Sequence, residues 1–179
     1  MAGEEALFAL LADLEHRAEA AFDVERGLEL LDRRQTEYAS VTLAGRLMAG
    51  VGAPIGLEVR GVGWLHGRLE RVAADWVHLT RADRDWVVPH AALVGVAGAS
   101  ERAVPEVAWS PLAGLGWASF LRRLAAAGTP CALYRDDGGR LDGVVRRLGA
   151  DFVELVPPVG TALLVPTAAV SAVASAEAS

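Results

Sequence analysis

The chain has 179 residues, 53% of them hydrophobic, and a formal net charge of −6 at pH 7. This length and apolar content allow one domain or two small domains with packed cores, while no apolar run reaches the ~18 residues that a membrane-spanning helix needs. All 17 basic residues are arginines, which indicates a GC-rich bacterial genome, and they form no basic patch. The composition therefore argues against a protein that binds nucleic acid mainly by neutralising phosphates.

The first 40 residues predict an acidic helical segment. Apolar residues recur at steps of three and four from Leu7 to Tyr38, in coiled-coil-like order. Arg17 and Gln35 interrupt this order. A break near residues 23–27 is favoured, because Asp23 suits a helix start and Gly27 costs ~1 kcal/mol relative to alanine inside a helix. One long helix and a helical hairpin are both open. The first residues are acidic where a signal peptide would be positively charged, and we expect a cytoplasmic protein.

The remainder of the chain contains an internal repeat. The stretch GRLERVAADWVHL, Gly67–Leu79, matches GVVRRLGADFVEL, Gly143–Leu155, and VVPHAALVGV, Val87–Val96, matches LVPTAAVSAV, Leu164–Val173. Each unit is about 55 residues long, whereas a solenoid needs roughly three or more repeats. The repeat therefore predicts two similar small domains.

Each unit is predicted to contain a short helix followed by five short strands. In the first unit the strands are IGLEVRG, WLHGRLERV, DWVHLT, DWVVP and ALVGVAG. The helix of the second unit is predicted to start at Ser110 and Pro111 and to end at Gly128. The predicted boundaries are an acidic helical segment at 1–40, a first unit at 41–98, a linker at 99–116, a second unit at 117–174 and a frayed tail at 175–179.

This order of elements resembles the Sm-like fold, a small SH3-like barrel. The resemblance rests on a glycine in a bent second strand (Gly67, Gly143) and an aspartate at the next turn (Asp75, Asp151). The whole arrangement is similar to uncharacterised actinobacterial proteins that carry an acidic helix and two such units. It implies an α+β fold, with a helical N-terminal segment followed by two five-stranded Sm-like barrels, each preceded by a short helix. Sm proteins that bind RNA read it with an asparagine soon after the motif aspartate and an Arg-Gly or Lys-Gly pair in the later strand. Here Asp75 and Asp151 are followed by no asparagine, and the later strands, Val87–Pro89 and Leu164–Pro166, contain no such pair.

The repeated glycines and aspartates predict structural turns. Gly67 and Gly143 are expected to bend the second strand of each unit. Asp75 and Asp151 are expected to form Asx-type turns by bonding nearby backbone N–H groups. Because the same residues occur in both units, we interpret them as requirements of the fold and not as catalytic acids or metal ligands.

No catalytic residue, metal site or cofactor is predicted. His66, His78 and His90 are evenly spaced, but they lack the short ligand spacing of a zinc site. Cys131 is the single cysteine, which suits a reducing compartment, and it is expected to be a buried small hydrophobic residue. The stretch RDDGGR at 135–140 predicts a hairpin turn. No nucleophile-elbow arrangement of serine, histidine and aspartate is present, so we expect no enzyme.

A candidate interaction surface lies on the first unit, where aromatic, histidine and arginine residues occur together. Such residues anchor protein partners or stack on bases. The sequence favours a non-catalytic protein-interaction or adaptor module that binds a protein partner or itself. The alternative is binding of RNA or single-stranded nucleic acid, and no membrane or small-molecule partner is expected. The residues of the candidate surface are Trp64, His66, Arg68, His78, Arg81, Arg84 and Trp86.

Overall fold

The chain divides into two compact units, residues 1–41 and residues 42–179. A computed structural model describes residues 26, 35–36, 38–82 and 84–176, without the side chain of Leu112. In the first unit the described residues up to Ala39 are helical. The predicted tail beyond Ala176 lies outside the described residues.

The second unit contains two α-helices and ten β-strands among its described residues. The helices are α1 (Leu43–Met48) and α2 (Trp117–Ala127). We call β1 to β5 the first half and β6 to β10 the second half. The strands of the first half are β1 (Pro54–Val59), β2 (Gly63–Val72), β3 (Trp76–Arg81), β4 (Arg84–Pro89) and β5 (Leu93–Ala97). Those of the second half are β6 (Pro130–Arg135), β7 (Arg140–Leu148), β8 (Phe152–Val156), β9 (Leu163–Pro166) and β10 (Val170–Ser175).

Helix α2 is shorter than the sequence predicts. Its expected start at Ser110 is followed by a 3₁₀ turn, Pro111–Gly114, and the α-helix begins only at Trp117. It ends at Gly128 as expected, where a φ of 61° lies in the left-handed region that glycine enters without steric cost.

All ten strands form one antiparallel sheet in the order β5-β1-β2-β3-β4-β10-β6-β7-β8-β9. Each half has the same internal order, with its fifth strand beside its first. The halves meet where β4 pairs with β10, with Val87 opposite Val173 and Trp86 opposite Ala174. We call this pairing the junction. Because it uses β4 of one half and β10 of the other, β5 and β9 become the two outer edges of the sheet.

The predicted α+β fold with two five-stranded barrels is wrong. The described residues form a mainly β structure, in which two helices accompany a single ten-stranded sheet. The repeat indicates the order of strands within each half. It carries no signal for the junction, because the backbone groups that pair there belong to residues far apart in the chain, such as Trp86 and Ala174.

The expected coiled coil is a second correction. The fold is mainly β, and α1 and α2 have only six and eleven residues, whereas a coiled coil needs apolar heptads sustained over about three or four repeats. The particular seam predicted from Leu7 to Tyr38 lies, apart from a few positions, outside the described residues.

In each half the longest strand approaches the next strand closely at a glycine. Gly67 in β2 approaches β3 so closely that a Cβ atom there would lie 2.5 Å from the carbonyl oxygen of Thr80. Gly143 in β7 meets the carbonyl oxygen of Val156 in the same way. A β-bulge follows in both strands, and bulges increase local bending and twist. A side chain at either glycine would push the bent strand away from its neighbour.

The hydrophobic cores of the two halves share β10. Ala172 and Ala174 of this strand belong to the core of the first half, together with Leu57 and Leu79. Val173 belongs to the core of the second half. Because side chains alternate between the two faces of a strand, β10 supplies one face to each core.

Candidate interaction surface

Four of the predicted surface residues lie on one face of the first half, which we call the outer patch. Trp64, His66 and Arg68 alternate with less exposed residues along β2. His78 of β3 lies on the same face, since Arg68 pairs directly with Thr80. The rings of Trp64 and His66 stack with centroids 5.7 Å apart, and Trp64 remains 45% exposed. The outer patch is therefore accessible to a partner.

The other three predicted residues lie elsewhere. Trp86 is buried at the junction, where its ring centroid lies 4.9 Å from that of Tyr134. Arg84 Nε donates a 2.7 Å hydrogen bond to the carbonyl oxygen of Ser175, and the guanidinium lies 5.1 Å from the Trp86 ring centroid. Arg81 is exposed at the end of β3. The structure thus separates the predicted surface into the outer patch, a contact between the halves and one isolated arginine.

Asp75 connects the turn after β2 to helix α2. Its two carboxylate oxygens accept hydrogen bonds of 2.9 and 3.0 Å from the backbone N–H of Trp117, the first residue of α2. A carboxylate at this position satisfies an otherwise unpaired N–H and favours the positive end of the helix dipole. The adjacent Trp76 indole N–H donates a 2.7 Å bond to the carbonyl of Leu115. The Asp75 carboxylate therefore accepts its hydrogen bonds from a residue 42 positions away in the chain. The sequence had predicted that it accepts them from neighbouring backbone N–H groups.

Asp151 occupies the matching turn of the second half, and among the described residues no α-helix begins beside it. Its backbone carbonyl accepts a 2.7 Å bond from the N–H of Thr167, as that of Asp75 does from the N–H of His90. Within the described part of the chain its carboxylate makes no hydrogen bond. The backbone geometry of the turn is thus repeated, while the side-chain contact with a helix is made by Asp75.

The outer strand β9 exposes residues whose counterparts are buried at the junction. The repeat aligns Leu163 with Trp86 and Leu164 with Val87. Trp86 and Val87 are 6% and 9% exposed, whereas Leu163 and Leu164 are 39% and 66% exposed. The difference arises because β10 and α2 cover β4, while β9 is the last strand of the sheet.

The outer strand β5 shows the same contrast with β10. Val94 of β5 is 61% exposed, whereas Ser171, its counterpart in β10, is 2% exposed. Both residues lie at a β-bulge of their strand. Neither β5 nor β9 carries a charged residue, although charged side chains are a common protection of sheet edges against pairing.

Charged side chains of β8 and β3 are held in contacts within the chain. Glu154 of β8 is nearly buried and accepts hydrogen bonds from Arg147 and Arg146, the former at 2.7 Å. The bond from Arg147 is the main reason that the pKa of Glu154 lies below its ordinary value. In the first half the matching residue is His78, whose Nε2 lies 2.8 Å from Asp85 Oδ1, and this contact lowers the pKa of Asp85.

The described residues offer no evident chemical centre. No group of three or more histidine, cysteine, aspartate or glutamate side chains among them is placed to hold a metal ion. Cys131 is buried, and burial raises the pKa of its thiol, which disfavours the reactive thiolate. Burial lowers the pKa of His90. A cavity of about 280 Å³ beside Pro89 and Trp117 is lined mainly by apolar atoms.

The sequence indicated Trp86 and Arg84 as interaction residues, but it did not indicate their partners at the junction or the residues of the two edges. Tyr134, Ser175, Leu163 and Leu164 were not predicted as interaction residues. The only related pattern in the sequence is that the repeat aligns Leu163 and Leu164 with Trp86 and Val87, and that LVGVA and LLVP contain no charged residue. That signal could be interpreted only once the pairing of β4 with β10 was known.

No family model matches the chain, and no curated protein matches it at a significant level. The resemblance to the Sm-like family therefore stays a prediction from the sequence. Among the residues that the structure describes, no helix is both long and apolar enough to pass through a bilayer.

Proposed function

We propose that this protein is a non-catalytic protein-interaction module, of the adaptor or regulatory type, that binds partners along the outer edges of its sheet. The observation that carries the proposal is the exposure of Leu163 and Leu164 at positions whose counterparts on β4 are buried. An edge strand offers unpaired backbone groups to an incoming strand, and apolar side chains beside them add specificity. We place this function in the cytoplasm, because a single cysteine suits a reducing compartment.

The hydrogen bonds of the carboxylates support a non-catalytic function. Asp75 is occupied in capping α2, and Glu154 is held by two arginines. General acid–base catalysis requires a titratable group within reach of a bound substrate. Here the acidic groups with the most defined contacts stabilise the fold.

Binding of single-stranded nucleic acid is the alternative that the outer patch raises. The stack of Trp64 on His66 would offer an aromatic surface to bases. Phosphate recognition would also need available arginines. Arg68 lies 3.5 Å from Glu70, and Arg84 donates to the carbonyl of Ser175, which favours a protein partner over a nucleic acid.

Site-specific photo-crosslinking in bacterial cells tests the proposal. A photo-reactive amino acid is placed at Leu164 on β9, at Val94 on β5, or at His66 in the outer patch. We expect light-dependent protein adducts at Leu164 and Val94 that survive nuclease treatment. Nuclease-sensitive adducts at His66 alone would instead support the nucleic-acid alternative.

Val107 provides the matched control position. It is apolar and 96% exposed, but it lies in a 3₁₀ turn outside the sheet. A crosslinker at Val107 should give few adducts, since exposure without a strand edge does not create a binding site. Equal adduct yields at Val107 and Leu164 would contradict the proposal.

A further inference from the structure

We infer that the cavity lined by the two proline-led turns of the sheet binds a small organic acid. Its volume is about 280 Å³, and residues of both 3₁₀ turns line it. The first turn, His90–Ala92, follows β4, and the second turn, Thr167–Ala169, follows β9. The lining comes from four separate segments of the chain, so the sequence gives no indication of it. Binding of a small molecule here goes beyond the proposed binding at the sheet edges and does not depend on it.

Small side chains of the two turns leave the space that forms the cavity. Ala91 and Ala92 line it from the first turn, and Ala168 lines it from the second. Val170 of β10 and Trp117 at the start of α2 add to the apolar part of the wall. Apolar walls with a few polar groups are typical of small-molecule sites, and this volume lies at the low end of their usual range. The cavity therefore suits a small ligand.

A buried serine gives the cavity a polar group that the fold does not use. Ser171 of β10 is 2% exposed and lines the cavity. Among the described residues its hydroxyl makes no hydrogen bond. Ser171 lies at the bulge of β10, and bulges next to functional sites re-aim a side chain. Because a buried hydroxyl without a partner costs free energy, this serine indicates a ligand that supplies the partner.

Arg60 brings a positive charge to the same cavity. Its backbone N–H and its Nη2 donate to the carbonyl oxygens of Ala92 and Ala91, at 2.9 and 3.3 Å, which fixes the residue to the first turn. Arg60 is exposed, and within the described part of the chain its guanidinium forms no ion pair. A guanidinium binds a carboxylate through two parallel hydrogen bonds. Arg60 is therefore available to a carboxylate that enters the cavity.

The polar groups of the wall define the class of ligand. None of the described lining residues is acidic, so the cavity favours an anion over a cation. Ser171 is buried and Arg60 is exposed, which places two polar groups at different depths in a mainly apolar wall. The indole N–H of Trp117 is buried and has no acceptor among the described residues. The matching ligand is a small carboxylic acid with an apolar body and a second polar atom, such as a hydroxyl.

Calorimetric titration of the full chain with a matched set of probes provides the first test. The acid 4-hydroxybenzoate has all three features, benzoate lacks the hydroxyl, and 4-hydroxybenzamide lacks the charge. We expect 4-hydroxybenzoate to bind saturably at one site per chain. Benzoate should bind several-fold more weakly and 4-hydroxybenzamide about tenfold more weakly, because each has lost one polar contact.

Substitution of the two polar residues tests their separate roles. Arg60→Gln should weaken the binding of 4-hydroxybenzoate about tenfold and leave that of 4-hydroxybenzamide unchanged. Ser171→Ala should remove the preference for 4-hydroxybenzoate over benzoate. Its stability should not fall, since the change removes a buried hydroxyl that has no partner. Arg81→Gln and Ser119→Ala are the matched controls, because neither residue lines the cavity, and both should bind all three probes as the original protein does.

Blocking the cavity provides a test that does not depend on the polar residues. Ala168 is exposed and lines the cavity, so Ala168→Phe should keep the circular dichroism spectrum and lose the binding of 4-hydroxybenzoate. Binding that survives this change would overturn the inference. So would the absence of saturable binding of 4-hydroxybenzoate and of the aliphatic acid 4-hydroxybutyrate at ~10 mM, a concentration at which even a millimolar affinity is measurable.

Competition distinguishes an organic acid from other anions. Inorganic phosphate and uridine monophosphate should displace 4-hydroxybenzoate only weakly, because they lack the carboxylate. If either displaces it at a lower concentration than benzoate does, the class of ligand is wrong. The photo-crosslinking yields at Leu164 and Val94 test the sheet edges and do not involve this cavity, so failure of the acid to bind leaves the proposed function standing.

Discussion

The first and second halves of the sheet have the same strand order but different surroundings. The first half is followed by a second half, whose strand β10 and helix α2 cover β4 and cap the turn at Asp75. Within the described residues β9 is the last strand of the sheet, and neither β9 nor the carboxylate of Asp151 has such a neighbour. Equivalent positions in the two halves therefore acquire different roles from the elements that lie beside them, and substitutions at matched pairs of residues with different neighbours should have unequal effects.

The largest difference is expected at Trp86 and its counterpart Leu163. Trp86→Ala removes a buried ring that packs on Tyr134, and we expect a loss of about 3–5 kcal/mol in the free energy of unfolding. Leu163→Ala, at an exposed position of β9, should cost under ~1 kcal/mol. Urea unfolding of both variants gives the two values. Similar costs would mean that β9 is covered within a single chain.

Substitution of Gly67 or of Gly143 should lower the stability of the protein by a similar amount, because both glycines lie against a backbone carbonyl oxygen of the next strand. Gly67→Ala and Gly143→Ala would each bring a Cβ against a backbone carbonyl oxygen. We expect each to lower the free energy of unfolding by about 3 kcal/mol. Gly114→Ala is the control, because a Cβ there meets no atom within 4 Å, and it should change stability by less than ~0.5 kcal/mol. Thermal unfolding followed by circular dichroism distinguishes these outcomes.

The turn aspartates should differ because one of them caps a helix. Asp75→Ala removes both hydrogen bonds to the N–H of Trp117, and the loss of such a cap costs about 1–2 kcal/mol. Asp151→Ala should stay within ~0.5 kcal/mol, as is usual for surface substitutions. Chemical unfolding midpoints would show the difference, and hydrogen exchange at Trp117 should accelerate in the Asp75 variant alone. Equal destabilisation by the two changes would show that the aspartates act through the turn and not through the helix.

The smallest effect concerns acid sensitivity at Glu154, the counterpart of His78. Its pKa is lowered from an ordinary value of 4.5 by the hydrogen bond from Arg147. A lowered pKa contributes stability above the unfolded value, and this contribution is lost as the pH falls below about 4.5 towards the folded value. Glu154→Gln should therefore lose less stability than the original protein between pH 6 and pH 3.

The partners of Glu154 limit the size of this effect. Arg146 and Arg147 are largely exposed, and solvent screens such ion pairs. Unfolding curves at several pH values measure the change, with His78→Gln as the matched variant in the first half. If the free energy of unfolding falls by the same amount with pH in the original protein and in Glu154→Gln, the Glu154 carboxylate does not stabilise the fold in this way.

Local patterns in the sequence were sufficient to indicate the strands and their order in the chain. Alternation of apolar residues, the glycines at 67 and 143, and the helix stop at Gly128 are short-range signals, and each corresponds to a feature of the structure. The fold class was nevertheless predicted wrongly. Counting five strands per unit does not reveal whether the fourth strand closes its own unit or pairs with the other one.

The amino-acid sequence alone shows the repeat, the absence of charge in β5 and β9, and the aromatic residues of the outer patch, whereas the position of β5 and β9 at the edges follows from the pairing of β4 with β10. Only the tertiary structure decided that Trp86 and Arg84 belong to the junction, that Asp75 caps a helix 42 positions away, and that Leu163 and Leu164 remain exposed. The physical reason is that strand pairing depends on backbone groups that every residue carries. The residues on either side of a junction can therefore be identified only after the chain has brought its distant segments together.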